Sequence, residues 1–249
     1  MSWLVHKNII ENSNKIEVTL NSGAITNLTS PNKLITEQLA DSYVFENSNI
    51  GTVTINIQFI SEQQSNCIAF LKNEGEISPS LITIYPSFGS SFNVSLPDPI
   101  VKNGYSIYIL DQQYSFEELD IKFSCVDNLQ KSIGALFIGA SFEISISPSA
   151  TYSSKDTSIT DRSNGGQSYS SDGIVYNSLR FETTALTTAQ SHNGSNSIVS
   201  FNNENGTRKP VIAILYGADN GDSFLTYGKQ EKAATLKTIK AKPSENEWY

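Results

Sequence analysis

The sequence predicts a mostly β protein: an N-terminal antiparallel β-sandwich of jelly-roll type, followed by a smaller α+β domain. Three observations carry this expectation. The filler is uncharged and polar, with 36 Ser, 23 Asn and 18 Thr against only 17% charged residues. Apolar residues recur in short runs with a period of two, and turn residues separate those runs. A coiled coil or helical bundle would be rich in Ala, Glu, Lys and Leu instead. With 38% hydrophobic residues, 12 Phe and 11 Tyr, the 249-residue chain has side chains enough for a core and room for one large domain or two modest ones.

The elements follow in order. IEVTL at 16–20 is the first strand-like run. A short helix is expected over 33–41, where Leu34, Ile35, Gln38 and Leu39 form one narrow stripe. Next comes the clearest strand, 52–60, in which Val53, Ile55, Ile57 and Phe59 alternate with Thr52, Thr54, Asn56 and Gln58, the pattern of a sheet with one wet face. Further runs are CIAFL at 67–71, LITIY at 81–85, FNVSL at 92–96, YSIYIL at 105–110, LDIKFSC at 119–125, ALFIG at 135–139 and SFEISI at 141–146. Turns at Asn73-Glu74-Gly75, 86–89, Pro97-Asp98-Pro99, Asn103-Gly104 and Gly134 divide them. Such closely spaced strands without helical periods between them predict a sandwich over 1–147.

From 148 to 173 aliphatic residues almost vanish, which predicts a polar linker or long loop. The remaining 174–249 is expected to form the smaller domain. It holds strands at SLRFET (178–183) and PVIAILYG (210–217), the latter apolar enough for the middle of a sheet, with a weak helix somewhere in 184–203. A turn at Asp219-Asn220-Gly221-Asp222 leads to SFLTY (223–227), which is expected to pair with ATLKTIK (234–240).

Charge and composition exclude several function classes. A net charge of −8 and a pI near 4.8 argue against a nucleic-acid partner, and the five Lys of 229–242 read as a solvated face. No apolar run approaches the roughly 18 residues of a membrane span, so membrane insertion is not expected. Residues 1–10 lack the apolar core and cleavage pattern of a secretory signal, so synthesis in a cytoplasm is expected. Cys67 and Cys125 sit in apolar runs and are expected as buried free thiols.

Ile133-Gly134-Ala135-Leu136-Phe137-Ile138-Gly139 is followed by Asn164-Gly165-Gly166-Gln167, then a strand with Arg180 and Phe181, then Pro210-Val211-Ile212 and Tyr227-Gly228. As an ordered set over about 105–240, this resembles tailed-bacteriophage virion proteins of the minor tail class. It departs from that pattern at Ala135, where the family usually has Arg, and near Phe142, where an aromatic such as Trp is common. The resemblance implies a non-enzymatic structural component of the tail, neck or host-attachment apparatus, located in the virion after assembly in the host cytoplasm. Its expected partners are other virion proteins and further copies of itself as a homo-oligomer, with a host surface glycan as a candidate ligand.

Catalytic chemistry has little to build on. His6 and His192 are the only histidines, and no nucleophile elbow is present. Glu117, Glu118 and Asp120 read as a solubilising turn rather than a glycosidase pair. Asp219 to Asp222 lacks the spaced acids of a Ca²⁺ loop, Gly134 to Gly139 lacks the Lys of a phosphate loop, and no metal spacing of Cys or His occurs, so neither cofactor nor metal is expected. Two sets of contact residues remain. Asp161, Asn164, Gly165, Gly166, Gln167 and Tyr169 are interface candidates, because glycines expose backbone donors beside Ser and Asn. Tyr105, Tyr108 and Tyr114 are candidates for glycan contact, since a sugar needs an aromatic platform with polar donors beside it. The alternative function is therefore a carbohydrate-binding module or lectin-like β-sandwich.

Overall fold

The computed structural model describes residues 2–21, 23–48, 50–74, 77–102, 104–125, 130–146, 151–156, 159–162, 168–171, 175–183, 186–187, 197–215 and 224–230. The strands, in chain order, are β1 (Ser2–His6), β2 (Ser13–Leu20), β3 (Ile25–Asn27), β4 (Tyr43–Asn47), β5 (Gly51–Glu74), β6 (Pro79–Tyr85), β7 (Phe92–Ser95) and β8 (Ile100–Lys102). They continue with β9 (Tyr105–Cys125), β10 (Lys131–Ile144), β11 (Thr151–Asp156), β12 (Ile159–Arg162), β13 (Ser168–Ser171), β14 (Val175–Arg180), β15 (Pro210–Leu215) and β16 (Phe224–Lys229). One α-helix is described, α1 (Ile198–Asn205).

The expected mostly β, antiparallel sandwich is what the chain forms. Its frame is the long pair β5–β9, which runs from Gly51 opposite Cys125 to Phe70 opposite Ser106. Several runs that read as separate strands are halves of these continuous ones: 52–60 and 67–71 both belong to β5, and 105–110 and 119–125 both belong to β9. The pairing slips between Gln58 and Gln63 and again between Ser65 and Cys67. Bulges of this kind bend a strand pair, so each half can serve a different layer. One layer runs β2, first half of β5, second half of β9, β6, β7. The other runs β16, β15, β1, β10, second half of β5, first half of β9, β8, with β4 and β3 beside the start of β10.

The alternation read at 52–60 is realised residue by residue. Val53, Ile55 and Ile57 are fully buried, while Ile60, where the bulge begins, is 78% exposed. They meet Ile68, Phe70, Tyr108, Leu136 and Ile138 from the other layer in the main core. A second core on the far side of that other layer gathers Val5, Cys67, Ala69, Phe137, Ile212, Ile214 and Leu225, with Ile100, Tyr105 and Tyr227 packed against it. Side chains from β8, β9 and β16 thus meet around one cluster, so the layer curls. Both cysteines are buried free thiols, as expected, and burial pushes the Cys67 thiol well up.

Three expectations need correction. The helix expected over 33–41 is a 3-10 turn, Pro31–Ile35, capped by the Ser30 hydroxyl, which accepts from the Asn32 N–H. Its stripe is too short to hold a helix by itself, and Leu34 is the only buried residue of the turn. The weak helix expected in 184–203 is shifted to α1, which begins near the end of that span and runs past it; it is capped by Ser197, whose hydroxyl accepts from the Ser200 N–H at 3.2 Å, and is closed by Gly206 with φ +52°. The stretch expected as a linker holds two nested antiparallel pairs, β11 with β14 and β12 with β13. A ladder satisfies backbone groups without a core, and Ser, Thr and Tyr tolerate it.

The C-terminal residues supply α1 and two strands, and β15 hydrogen-bonds to β1 as well as to β16. These strands therefore extend the sheet of the first 147 residues. The apolar run does lie inside a sheet over Pro210–Leu215, with all six residues of β15 buried. The strand expected at 234–240, the turn 219–222, His192 and most of the basic segment lie outside the described residues. No helix among the described residues is long and apolar enough to cross a membrane.

α1 is docked over β1, β10 and β15 through Leu4, Phe142, Ile144, Ile198, Phe201 and Val211. His6 is sealed beside this cluster, fully buried, with its ring edge-on to Phe142 and Phe201. Its Nδ1 lies 3.5 Å from Glu204, which favours the charged form, but desolvation outweighs that and, together with Lys7, lowers the pKa to about 4. The imidazole is thus neutral at pH 7. The unfolded chain takes up a proton near pH 6.5 and the folded one only near 4, so this term of stability is complete above pH 6.5. It is lost as pH falls to 4, by on the order of 3 kcal/mol. Denaturant unfolding across pH 4 to 7 should show this acid limb, and His6→Phe, which has no proton to take up, should flatten it relative to wild type.

Candidate functional site

The outer face of the five-stranded layer is built by register. Residues directly opposite one another in a ladder share a face, so three rows of side chains cross this layer. The first is Lys15, Gln58, Glu118, Tyr85; the second is Glu17, Asn56, Asp120, Thr83, Asn93; the third is Thr19, Thr54, Lys122, Leu81, Ser95. Their neighbours along each strand, such as Ile57, Leu119 and Ile84, point into the main core. The period of two therefore gathers the polar residues of these three rows on one surface.

The middle of the surface is a connected network. The Asn56 side-chain amide donates to Glu118 Oε1 at 2.6 Å and to Asp120 Oδ1 at 2.7 Å. The Tyr85 hydroxyl donates to Asp120 Oδ2 at 2.9 Å, and Lys122 Nζ lies 3.9 Å from the same oxygen. Lys122 also donates to the Thr83 hydroxyl at 2.8 Å, and that hydroxyl donates to Asn93 Oδ1 at 2.8 Å. Asp120 and Thr83 are buried under these contacts, whereas Tyr85, Glu118, Asn56, Gln58 and Lys122 remain partly exposed. Burial, the hydrogen bond to Asp120 and the charges of Asp120 and Glu118 together raise the Tyr85 hydroxyl, keeping it protonated as a donor. Beyond Tyr85 the chain turns through Gly89 (φ +106°), and Phe88 in that turn is 92% exposed. An aromatic ring, two carboxylates, an amide, a hydroxyl and an ammonium group thus share one open sheet surface.

The sequence-predicted residues fall elsewhere. Tyr108 is corrected: it is 1% exposed, packed near-perpendicular to Phe70 in the main core, and cannot offer a platform. Its hydroxyl has no hydrogen-bond partner among the described residues, and burial pushes its pKa up to about 12. Tyr105 is half-buried against the second core, and Tyr114 is half-buried, its hydroxyl donating to Asp111 at 3.0 Å and its ring 6.1 Å from Phe92. The three tyrosines do not converge. Of the interface candidates, Asp161 on β12 pairs with Tyr169 on β13, while Asn164, Gly165, Gly166 and Gln167 lie outside the described residues. Glu118 and Asp120, read from the sequence as a solubilising turn, lie in the strand β9 at the centre of the network. The signal for the face was present in the wet positions Thr54, Asn56 and Gln58 and their counterparts Glu118, Asp120 and Lys122. The register that joins them was not.

No protein-family model and no curated protein sequence matches this chain. Among solved structures, CpGH89CBM32-6 produced by Clostridium perfringens is 15% identical, with a TM-score of 0.38 over 53% of this chain and 98% of that one. The family 32 CBM from C. perfringens NanJ, solved with galactose, is 14% identical, with a TM-score of 0.38 over 55% and 98%. Chitosan-binding module 1 from the chitosanase/glucanase of Paenibacillus sp. IK-5 is 12% identical, with a TM-score of 0.39 over 53% and 98%.

Asn56 is the hinge of the network's charge balance, because one amide holds two carboxylates. Asn56→Ala should cost about 2 kcal/mol by denaturant unfolding at pH 7, where both acids are left facing each other. A stability within about 0.5 kcal/mol of wild type would refute this role.

Proposed function

We propose that the chain is a non-enzymatic glycan-binding β-sandwich that uses the outer face of its five-stranded layer. The observation that carries this reading is the partly exposed Tyr85 ring beside Asn56, Glu118, Asp120 and Lys122 on an open sheet surface. A pyranose ring has an apolar C–H face that packs on an aromatic and a rim of hydroxyls that both donate and accept. Here the carboxylates accept and the Lys122 ammonium donates, while the Asn56 amide spends its two N–H groups on holding Glu118 and Asp120 in place. Much of their geometry is fixed beforehand by mutual hydrogen bonds, which lowers the ordering cost of binding. Weak affinity is expected of so open a face. Calorimetric titration of the full chain with neutral oligosaccharides should give saturable binding, and Tyr85→Ala should weaken it about tenfold, the loss of ring contact and one hydroxyl. Binding unchanged by Tyr85→Ala would sink this assignment of the face.

A second reading, a structural component of a tailed-phage virion that acts through self-association, is supported by a different observation. The β11–β14 and β12–β13 pairs are two-stranded, with no further strand on either edge among the described residues. Open edges are templates for pairing with another chain. The interface candidates Asp161 and Tyr169 stand opposite each other on the inner pair. Light scattering on a sizing column tests this reading. A closed oligomer that dissociates when 157–173 is shortened to a tight turn supports it, and a monomer at all concentrations speaks for the glycan-binding module alone.

A further inference from the structure

We infer that the face takes a linear oligosaccharide of about three units laid across the strands, rather than a single sugar; this rests on the glycan-binding reading above. The first row sets the geometry. Tyr85, Glu118, Gln58 and Lys15 are directly opposite one another on β6, β9, β5 and β2. Strands stand about 4.8 Å apart, so four in a row span about 14 Å, close to the length of about three linked hexopyranose rings.

Accessibility distinguishes this row from its neighbour. In the second row Asp120 and Thr83 are buried and spend their polar atoms on Asn56, Tyr85, Lys122 and Asn93. In the first row every side chain is at least partly exposed. Gln58 makes no side-chain hydrogen bond among the described residues, although its neighbours Lys15 and Glu118 each have one polar partner, Glu17 at 2.9 Å and Asn56 at 2.6 Å. A free amide midway between the acid and the lysine, in register with an aromatic at one end, is placed to meet hydroxyls of successive rings. The row also ends sharply. Tyr85 is the last residue of β6 before the turn, and among the described residues β2 is the outer strand of the layer at the Lys15 end. The order of roles follows: the Tyr85 end holds one ring by stacking, and Gln58 and Lys15 add hydrogen bonds only for rings further along.

The test is calorimetric titration of the full chain with cello-, chito- and β-galacto-oligosaccharides of one to five units. Affinity in the series that binds should rise about tenfold from one unit to three, equivalent to about 1.4 kcal/mol, and then level off. Gln58→Ala should remove most of that rise, with circular dichroism confirming an unchanged fold. Affinity independent of length, a rise that continues past four units, or a Gln58→Ala titration identical to wild type would each overturn the inference. The glycan-binding reading would survive those results provided Tyr85→Ala still weakened binding. Absence of binding at every length and in every series would overturn both.

Discussion

A strand buried on both faces has no side on which to put polar side chains, and its neighbours must approach it from every direction. β10 is that strand here: between Ile133 and Phe142 every residue is buried. It feeds all three cores, with Leu136 and Ile138 in the first, Ala135 and Phe137 in the second, and Phe142 and Ile144 in the third. Its glycines are part of the same constraint. A Cβ at Gly139 would meet the His6 carbonyl oxygen at 2.4 Å and the Phe137 ring at 2.6 Å, and one at Gly134 would meet the Leu39 and Leu71 carbonyl oxygens at 2.9 Å. Real Cβ contacts are not that close, so β1 and β5 can sit where they do only because these two positions have no side chain.

The remaining architecture can be traced from that strand. β5 pairs with β10 through its second half, which leaves its first half free to turn away at the bulge and pair with β2. β9 follows β5 along its whole length and carries the bend to β6 and β7. The five-stranded layer exists because one half of a long pair is diverted from the β10 sheet. Its inner side closes the main core over β10 and β5, and its outer side, relieved of any packing duty, collects the polar residues. The candidate site is therefore a consequence of the core: the same alternation that buries Ile57, Leu119 and Ile84 brings Gln58, Glu118 and Tyr85 into one row.

This also explains what could be read from the sequence and what could not. Alternation at 52–60 and the apolar runs at 67–71 and 210–217 report burial directly, so the β class, the wet face and the buried cysteines were legible. Continuity was not. Ser61 to Asn66 is polar and resembles a turn in composition, yet it lies inside one strand, held by pairing with β9 that no local pattern reveals. Gly134 and Gly139 read as strand ends for the same reason, since a glycine that admits a neighbouring backbone has the same letter as one that terminates a strand. The tyrosines show the limit at the site. Tyr108 and Tyr85 each stand in an alternating apolar context, and only the layer that each strand faces puts one in the core and the other in the network.

The network itself has a physical logic that bears on its use. Two carboxylates, Glu118 and Asp120, lie on one strand face two residues apart, where like charges repel. The sheet answers with an amide between them, a tyrosine hydroxyl on the far oxygen of Asp120 and a lysine nearby. For stability alone, apolar or simply solvated residues at these positions would serve as well, since buried and half-buried charged groups gain little over apolar replacements. The arrangement instead holds Glu118 and Tyr85 in fixed positions at the surface, each with one side committed to the network and the other turned to solvent. Groups oriented in this way would lose little entropy on meeting a ligand, and that is the property the proposed glycan-binding face requires.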